Sequence, residues 1–110
     1  MENQVKHADC TVELSADGYL RLSAAVAQSY FPEDVLVPLN KNGELWLLPL
    51  RGAAAGGLLL KQRNVSGDRS VVIWEAIPPD TPPGTYTAFW DESRGALRIA
   101  ISLAPVEQTG

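Results

Sequence analysis

Cysteine and histidine are almost missing from this sequence, which has one of each, Cys10 and His7. A single thiol cannot form an internal disulfide, and a structural zinc site needs four ligands, usually thiolates and imidazoles. A nucleophile activated by histidine would depend on His7, close to a chain end that we expect to fray. The sequence therefore predicts no metal, no cofactor and no enzyme. We interpret Cys10 as a small buried hydrophobe.

Long apolar runs are missing as well. No stretch reaches the roughly 20 apolar residues that a membrane-spanning helix requires. The N-terminal residues also lack the basic and apolar regions of a secretory signal. Together with the single cysteine, these absences favour a cytoplasmic protein of bacterial type that has no membrane association.

A phosphate-binding loop is the third absence, although residues 51–61, RGAAAGGLLLK, suggest one at first sight. Gly52 and Gly57 have the P-loop spacing, but Leu58 stands where the lysine belongs. A P-loop is also followed by a helix, whose N-terminus holds the anion, whereas the residues after Gly57 are typical of a strand. We interpret the stretch as a joint between two halves of the chain.

Charge is distributed unevenly along the chain, whose net charge is −4. Residues 1–50 carry three basic and seven acidic side chains, whereas residues 51–110 carry six of each. Any basic contact surface must therefore lie in the second half. The neighbouring carboxylates at Glu33-Asp34 and Asp91-Glu92 lie beside turns, and we interpret them as solvated charges because neighbours on a chain usually point apart.

Turn signals separate apolar runs of strand length throughout the chain. Four candidate hairpins have their turns at residues 16–18, 40–43, 64–68 and 91–95. In the last strand Leu97, Ile99, Ile101 and Leu103 alternate with smaller or charged residues, as on a sheet with one buried face. The segments ELWLLPL and VVIW are apolar on both faces, which indicates central strands or a subunit contact. Pro38 and Pro49 predict an edge or a bulge, since proline cannot donate to a ladder.

One helix is expected near residues 24–31, where Ser23 can cap the N-terminus and Pro32 follows. Residues 76–85 hold four prolines and predict a stiff extended connection. The fold class is therefore all-β, mostly antiparallel hairpins in a small barrel or sandwich with one short α-helix. We expect one domain over residues 1–110, with residues 1–6 and 106–110 frayed.

Residues 16–50 resemble the swapped-hairpin DNA-binding domains of the AbrB and MraZ type. The similarity rests on Gly18-Tyr19-Leu20, Leu22, the helix after Ser23, Pro32-Glu33-Asp34 and the LWLLPL strand. Tyr19 stands where that pattern usually has arginine, and Ser23 replaces a helix-starting proline. The resemblance implies a dimeric transcription regulator. The acidic charge of this half argues against nucleic acid as a ligand, because phosphate contacts supply much of the affinity for DNA.

Two sets of residues are candidates for binding a partner. Lys61, Arg63 and Arg69 gather around the turn at residues 64–68. They indicate either a solvated tip that keeps the protein soluble, which we favour, or a basic hairpin that docks onto an acidic protein surface or nucleic acid. Three tryptophans, Trp46, Trp74 and Trp90, are each expected in a different strand. They indicate either core packing, which we favour, or a ligand platform; if one of them is exposed, we expect it to be Trp46 or Trp90.

We conclude from the sequence that the protein is a non-enzymatic interaction or assembly module. Its partner would be another protein or a second copy of itself in a homodimer. The first alternative is the DNA-binding regulator that the resemblance implies. The second is a β-barrel that binds a small ligand with its tryptophans.

Overall fold

The computed structural model describes residues 9–51 and 56–101. These residues form nine β-strands, one α-helix and a single-turn 3-10 helix. In chain order they are β1 (Asp9–Leu14), β2 (Tyr19–Leu22), α1 (Ala24–Tyr30), β3 (Val35–Lys41), β4 (Glu44–Pro49), β5 (Leu58–Leu59), β6 (Lys61–Gln62), β7 (Arg69–Val72), the 3-10 helix (Trp74–Ala76), β8 (Gly84–Asp91) and β9 (Ala96–Ile99). The predicted all-β fold with one short helix is confirmed.

All strand pairs are antiparallel, and they form one sheet in the order β5-β3-β4-β9-β8-β1-β2-β7-β6. Only Leu60 separates β5 from β6, so residues 58–62 act as one kinked strand. Its first half pairs with β3 and its second half pairs with β7. The two ends of the sheet therefore meet in this strand and form a nearly closed barrel, which decides between the two predicted architectures.

The turn between β3 and β4 explains the positions of both strand prolines. Asn42 and Gly43 have φ angles of 54° and 85°, as in a two-residue type I′ turn, which fixes the register of the hairpin. Antiparallel partners alternate between bonded and non-bonded pairs from that turn onward, and Pro38 and Pro49 both fall at non-bonded positions. The missing N–H of Pro38 therefore points to the open edge of β3, since β5 covers only the first two residues of that strand.

Inward-facing apolar side chains fill the barrel. Leu97 and Ile99 of β9 are fully buried, which confirms the face predicted for this strand, and Ala88 of β8, the partner of Ile99, is buried with them. The rest of the buried cluster comes from every wall of the barrel: Val12, Leu14, Leu20, Leu22, Val26, Phe31, Leu36, Leu45, Leu47, Leu60, Val71, Ile73, Tyr86 and Ile101.

Two segments cover the ends of the barrel. The hydroxyl of Tyr86 donates to the carbonyl oxygen of Pro82, which fixes the proline-rich connection against one end, and burial raises the pKa of this phenol. Helix α1 covers the other end, where the Tyr30 ring stacks on Trp90 at 4.5 Å between centroids.

Helix α1 begins at the predicted cap. The Ser23 hydroxyl accepts a hydrogen bond from the Val26 amide at 3.2 Å, and the helix ends before Pro32. Replacement of Ser23 with alanine is expected to lower the free energy of unfolding by about 1 kcal/mol, because it leaves this amide without its acceptor. Urea denaturation measures the change. Ser23→Asp should stay within a few tenths of a kcal/mol of the wild type, and equal stability of all three proteins would contradict the capping role.

Two strands are shorter than predicted. Strand β7 ends at Val72, which pairs with Tyr19, the first residue of β2. Among the described residues no strand therefore pairs with the residues after Val72. Trp74 therefore lies in the 3-10 helix and not in a strand, and it packs on Gly18, where a Cβ atom would stand 2.4 Å from the Trp74 Cβ. Strand β9 ends at Ile99, and the predicted Leu103 lies outside the described residues.

The expected frayed ends and His7 also lie outside the described residues. Within residues 9–51 and 56–101, no helix is both long and apolar enough to cross a membrane.

Candidate functional site

The basic hairpin tip lies between β6 and β7. We define the tip loop as residues 63–68. Lys61 and Arg63 are exposed, and neither forms an ion pair with any residue that the structure describes. Both cations are therefore available to an outside partner.

Arg69 does not join this exposed pair. Its Nε donates to Asp34 Oδ1 at 3.0 Å, and its Nη1 donates to the carbonyl oxygen of Gly67. Only 17% of its side chain is exposed. Lys61 pairs with Ser70, so Arg69 occupies the neighbouring position of β7 and faces the opposite side of the sheet. Arg69 anchors the tip loop to the start of β3.

Hydrogen bonds hold the tip loop in one shape. The Asn64 side-chain oxygen accepts from the amides of Gly67 and Asp68 at 3.1 and 3.2 Å, and its nitrogen donates to Asp68 Oδ2 at 3.1 Å. The Arg63 amide donates to the Asp68 carbonyl oxygen at 2.7 Å. Asp68 Oδ1 also accepts from the Ala24 amide, which ties the loop to α1. The bond from Asn64, followed by the bond from Ala24, lowers the pKa of Asp68.

Val65 stands at the apex of this loop and is 99% exposed. Sequence reasoning did not single it out. The available signal was a lone β-branched residue between Asn64 and Ser66-Gly67, where turn positions are usually polar. The sequence did identify Lys61 and Arg63, the cations that precede it on the same hairpin.

A shallow polar groove of about 630 Å³ lies beside the tip, on the outer wall formed by β1, β2 and β7. Arg63 lines it together with Tyr19, Ser70 and the exposed ion pair between Arg21 and Glu13, whose atoms are 3.2 Å apart. No cluster of three or more histidine, cysteine or acidic side chains that could hold a metal ion occurs among the described residues. The groove offers hydrogen-bonding groups and charge to a ligand.

Trp46 faces outward from β4 and is half-buried. Its cross-strand partner is Arg98, whose guanidinium carbon lies 4.8 Å from the Trp46 ring centre and 5.1 Å from that of Phe89. Lys41 and Arg94 approach the same indole at 5.1 and 6.0 Å. We call Lys41, Trp46, Arg94 and Arg98 the Trp46 surface.

Arg98 is fixed between two carboxylates. Its Nε donates to Glu44 Oε1 at 2.8 Å, and its Nη1 donates to Asp91 Oδ2 at 2.7 Å. These bonds lower the pKa of Glu44, and they bring the pKa of Asp91 down to about 2. Asp91 also accepts from the amides of Ser93 and Arg94, so it holds the turn between β8 and β9.

The lowered pKa values predict a loss of stability in acid. A carboxyl group whose pKa is lower in the folded state stabilises the fold above its unfolded pKa, and this stabilisation disappears as the pH falls through the folded pKa. The loss should begin near pH 4 and continue to about pH 2, the folded pKa of Asp91. Urea midpoints of the wild type and Arg98→Met at pH 7, 4, 3 and 2 measure it. The urea midpoint of the wild type should fall more than that of Arg98→Met as the pH is lowered. Midpoints that fall in parallel would contradict the role of Arg98.

The other two tryptophans have different environments. Trp90 faces inward, stacks on Tyr30 and donates its Nε1–H to Glu92 at 3.1 Å. Trp74 is the most exposed of the three, at 57%. Contrary to expectation, the exposed indole is thus Trp74, while Trp46 and Trp90 are half-buried.

Comparison of the chain with protein-family models, with curated proteins and with solved structures gave no match in any of the three.

Proposed function

We propose that the protein is a non-enzymatic docking module that presents its tip loop to another protein. The observation that carries this proposal is the contrast within the loop. The polar groups of the loop are fixed by hydrogen bonds that involve Asn64, Asp68 and Arg69, whereas the apolar side chain of Val65 is 99% exposed. The partner surface would be an apolar pocket with carboxylates at its rim, which Lys61 and Arg63 would approach.

Preorganisation favours such a role. A loop that is already ordered loses little conformational entropy on binding, so more of the contact energy remains as affinity. Burial of an exposed valine contributes about 25 cal/mol for each Å² of apolar area. Cations at the rim of an interface add mainly to the association rate and to the choice of partner. Val65 would thus supply affinity, while Lys61 and Arg63 would orient the approach.

The alternatives from the sequence have less support. A small-ligand barrel needs an open mouth, whereas α1 and the contact of Tyr86 with Pro82 cover the two ends. The resemblance of residues 16–50 to DNA-binding domains stays a prediction. Self-association would use the outward apolar side chains of β3 and β4, such as Leu39, which is 39% exposed. The cytoplasm is the compartment we propose, since the single cysteine fits a reducing environment.

Quantitative affinity capture from extract of the native cells tests the proposal. The wild type is compared with Lys61→Glu/Arg63→Glu and with Val65→Ser, in nuclease-treated and untreated extract. The control is Arg51→Glu, which reverses an exposed cation that belongs to neither the tip nor the Trp46 surface. We expect a nuclease-resistant protein whose recovery falls at least about tenfold in both tip variants, the equivalent of 1.4 kcal/mol, and not in the control.

Two results would contradict the tip as the docking element. One is equal recovery of every bound protein by the wild type and both tip variants. The other is recovery only from untreated extract, which would favour the DNA-binding alternative. Light scattering of the purified chain shows whether self-association competes with these interactions.

A further inference from the structure

We propose that the Trp46 surface is a second binding site, which takes a short acidic segment of a protein chain. It uses none of the residues of the tip, and β3 and β5 separate its central strand, β4, from the β6–β7 hairpin. The protein would then hold two partner segments at once, or two segments of one partner. This inference does not depend on the proposed function of the tip loop, and either can fail alone.

The Trp46 ring is held in place by its own side-chain contacts. Its Nε1–H donates to Glu44 Oε1 at 2.8 Å, and Glu44 in turn accepts from Arg98. Arg98 lies against the ring and is fixed from its other side by Asp91. The indole and the guanidinium are therefore ordered before a ligand arrives, which lowers the cost of binding.

The charges of the surface are not balanced. Glu44 and Asp91 both bind Arg98, whereas Lys41 and Arg94 have no ion-pair partner among the residues that the structure describes. Both unpaired cations are exposed and lie beside the Trp46 ring, at 5.1 and 6.0 Å from its centre. Two positive charges at the rim of an aromatic surface complement a ligand that carries carboxylates and apolar groups.

The dimensions of the site suit a short peptide. Lys41, Asn42, Glu44, Trp46, Arg94 and Arg98 line a cleft of about 400 Å³. The charges of Lys41 and Arg94 lie no more than about 11 Å apart, given their distances from the ring centre. Two carboxylates at alternate positions of an extended segment are about 7 Å apart. The flexible side chains of Lys41 and Arg94 can move together enough to contact both. The ligand's apolar side chains next to these carboxylates would cover the Trp46 indole.

Nucleic acid is the less favoured ligand of the same surface. Its affinity depends on many phosphate contacts, and the whole chain carries a net charge of −4, which repels a long polyanion. A short acidic segment needs only the two unpaired cations, and tryptophan and arginine are the residues most enriched at protein–protein hot spots.

Nuclear magnetic resonance of the full chain provides the test. The indole Nε1–H of Trp46 and the Nε–H of Arg98 are followed during titration with acetylated Pro-Glu-Leu-Glu-Pro amide. The control probes are the same peptide with glutamine in place of glutamate and a ten-nucleotide oligothymidylate. We expect saturable shifts of both signals with the acidic peptide. The affinity should fall at least about tenfold in Lys41→Glu/Arg94→Glu and should be unchanged in Lys61→Glu/Arg63→Glu.

Three results would overturn the inference. The first is the absence of saturable shifts with the acidic peptide at millimolar concentration. The second is equal binding of the glutamine peptide, or equal affinity of Lys41→Glu/Arg94→Glu. The third is tighter binding of oligothymidylate than of the acidic peptide, which would assign the surface to single-stranded nucleic acid. Both charge-reversal variants alter only exposed side chains, so the fold should survive in each.

Discussion

Replacement of Leu97 with alanine is expected to lower the free energy of unfolding by about 3 to 4 kcal/mol, within the range of about 2 to 5 kcal/mol for truncation of a buried leucine. Leu97 is 0% exposed and lies on β9, between Leu47 of β4 and Trp90 of β8. Because β9 is hydrogen-bonded on both sides, its backbone cannot move inward to fill the cavity. Urea denaturation followed by circular dichroism measures the loss.

The matched control for Leu97→Ala is Val65→Ala, which truncates a side chain that is 99% exposed. Its stability should remain within about 0.5 kcal/mol of the wild type. A loss below about 1 kcal/mol for Leu97→Ala would contradict a rigid, well-filled barrel, because only a core that relaxes into the cavity tolerates this change so well.

Replacement of Asn64 with alanine is expected to release the tip loop and to weaken partner binding at least about tenfold. The Asn64 side chain makes three of the hydrogen bonds that define the loop, to Gly67 and Asp68. Without them the Asp68 amide loses its acceptor and the Gly67 amide keeps only the backbone oxygen of residue 64, so Val65 samples many positions. The global stability should fall by only about 1 to 2 kcal/mol, since the bonds are at the surface.

Amide hydrogen exchange and the capture experiment together test the Asn64→Ala prediction. The amides of Gly67 and Asp68 should exchange faster in the variant, and recovery of the partner should fall with them. Ser66→Ala is the matched control, because it truncates a neighbouring exposed side chain that forms no hydrogen bond with a described residue. Full retention of partner binding in Asn64→Ala would contradict the role of preorganisation.

The hairpins and the helix could be predicted because their signals are local. Asn42-Gly43 forms the turn it predicts because both residues adopt positive φ. Ser23 caps α1 through its own hydroxyl, only three residues from the amide that it binds. Pro38 and Pro49 lie at non-bonded positions of the β3–β4 ladder, as expected from their missing donors. Each of these features depends on neighbouring residues and not on the rest of the fold.

The features that were missed depend on contacts between distant segments. Trp74 lies outside the sheet because Val72 already pairs with Tyr19, the first residue of β2. Only the register of β2 against β7 determines this. The register of β6 against β7 places Arg69 on the face of the sheet opposite to Lys61. On that face it contacts Asp34, which is 35 residues away in the sequence. The Trp46 surface likewise joins Lys41 of the β3–β4 hairpin to Arg94 and Arg98 of the β8–β9 hairpin. A single sequence contains no local signal for such pairings.

The central claim is that the tip loop contacts a partner protein through Val65, and cross-linking in the native cells tests it most directly. A photoreactive benzoylphenylalanine replaces Val65 in one variant and Ala16, an exposed residue of the β1–β2 turn, in a second. Light should produce one dominant protein adduct from position 65 that position 16 does not give. The absence of an adduct at position 65, or the same adducts from both positions, would contradict the claim.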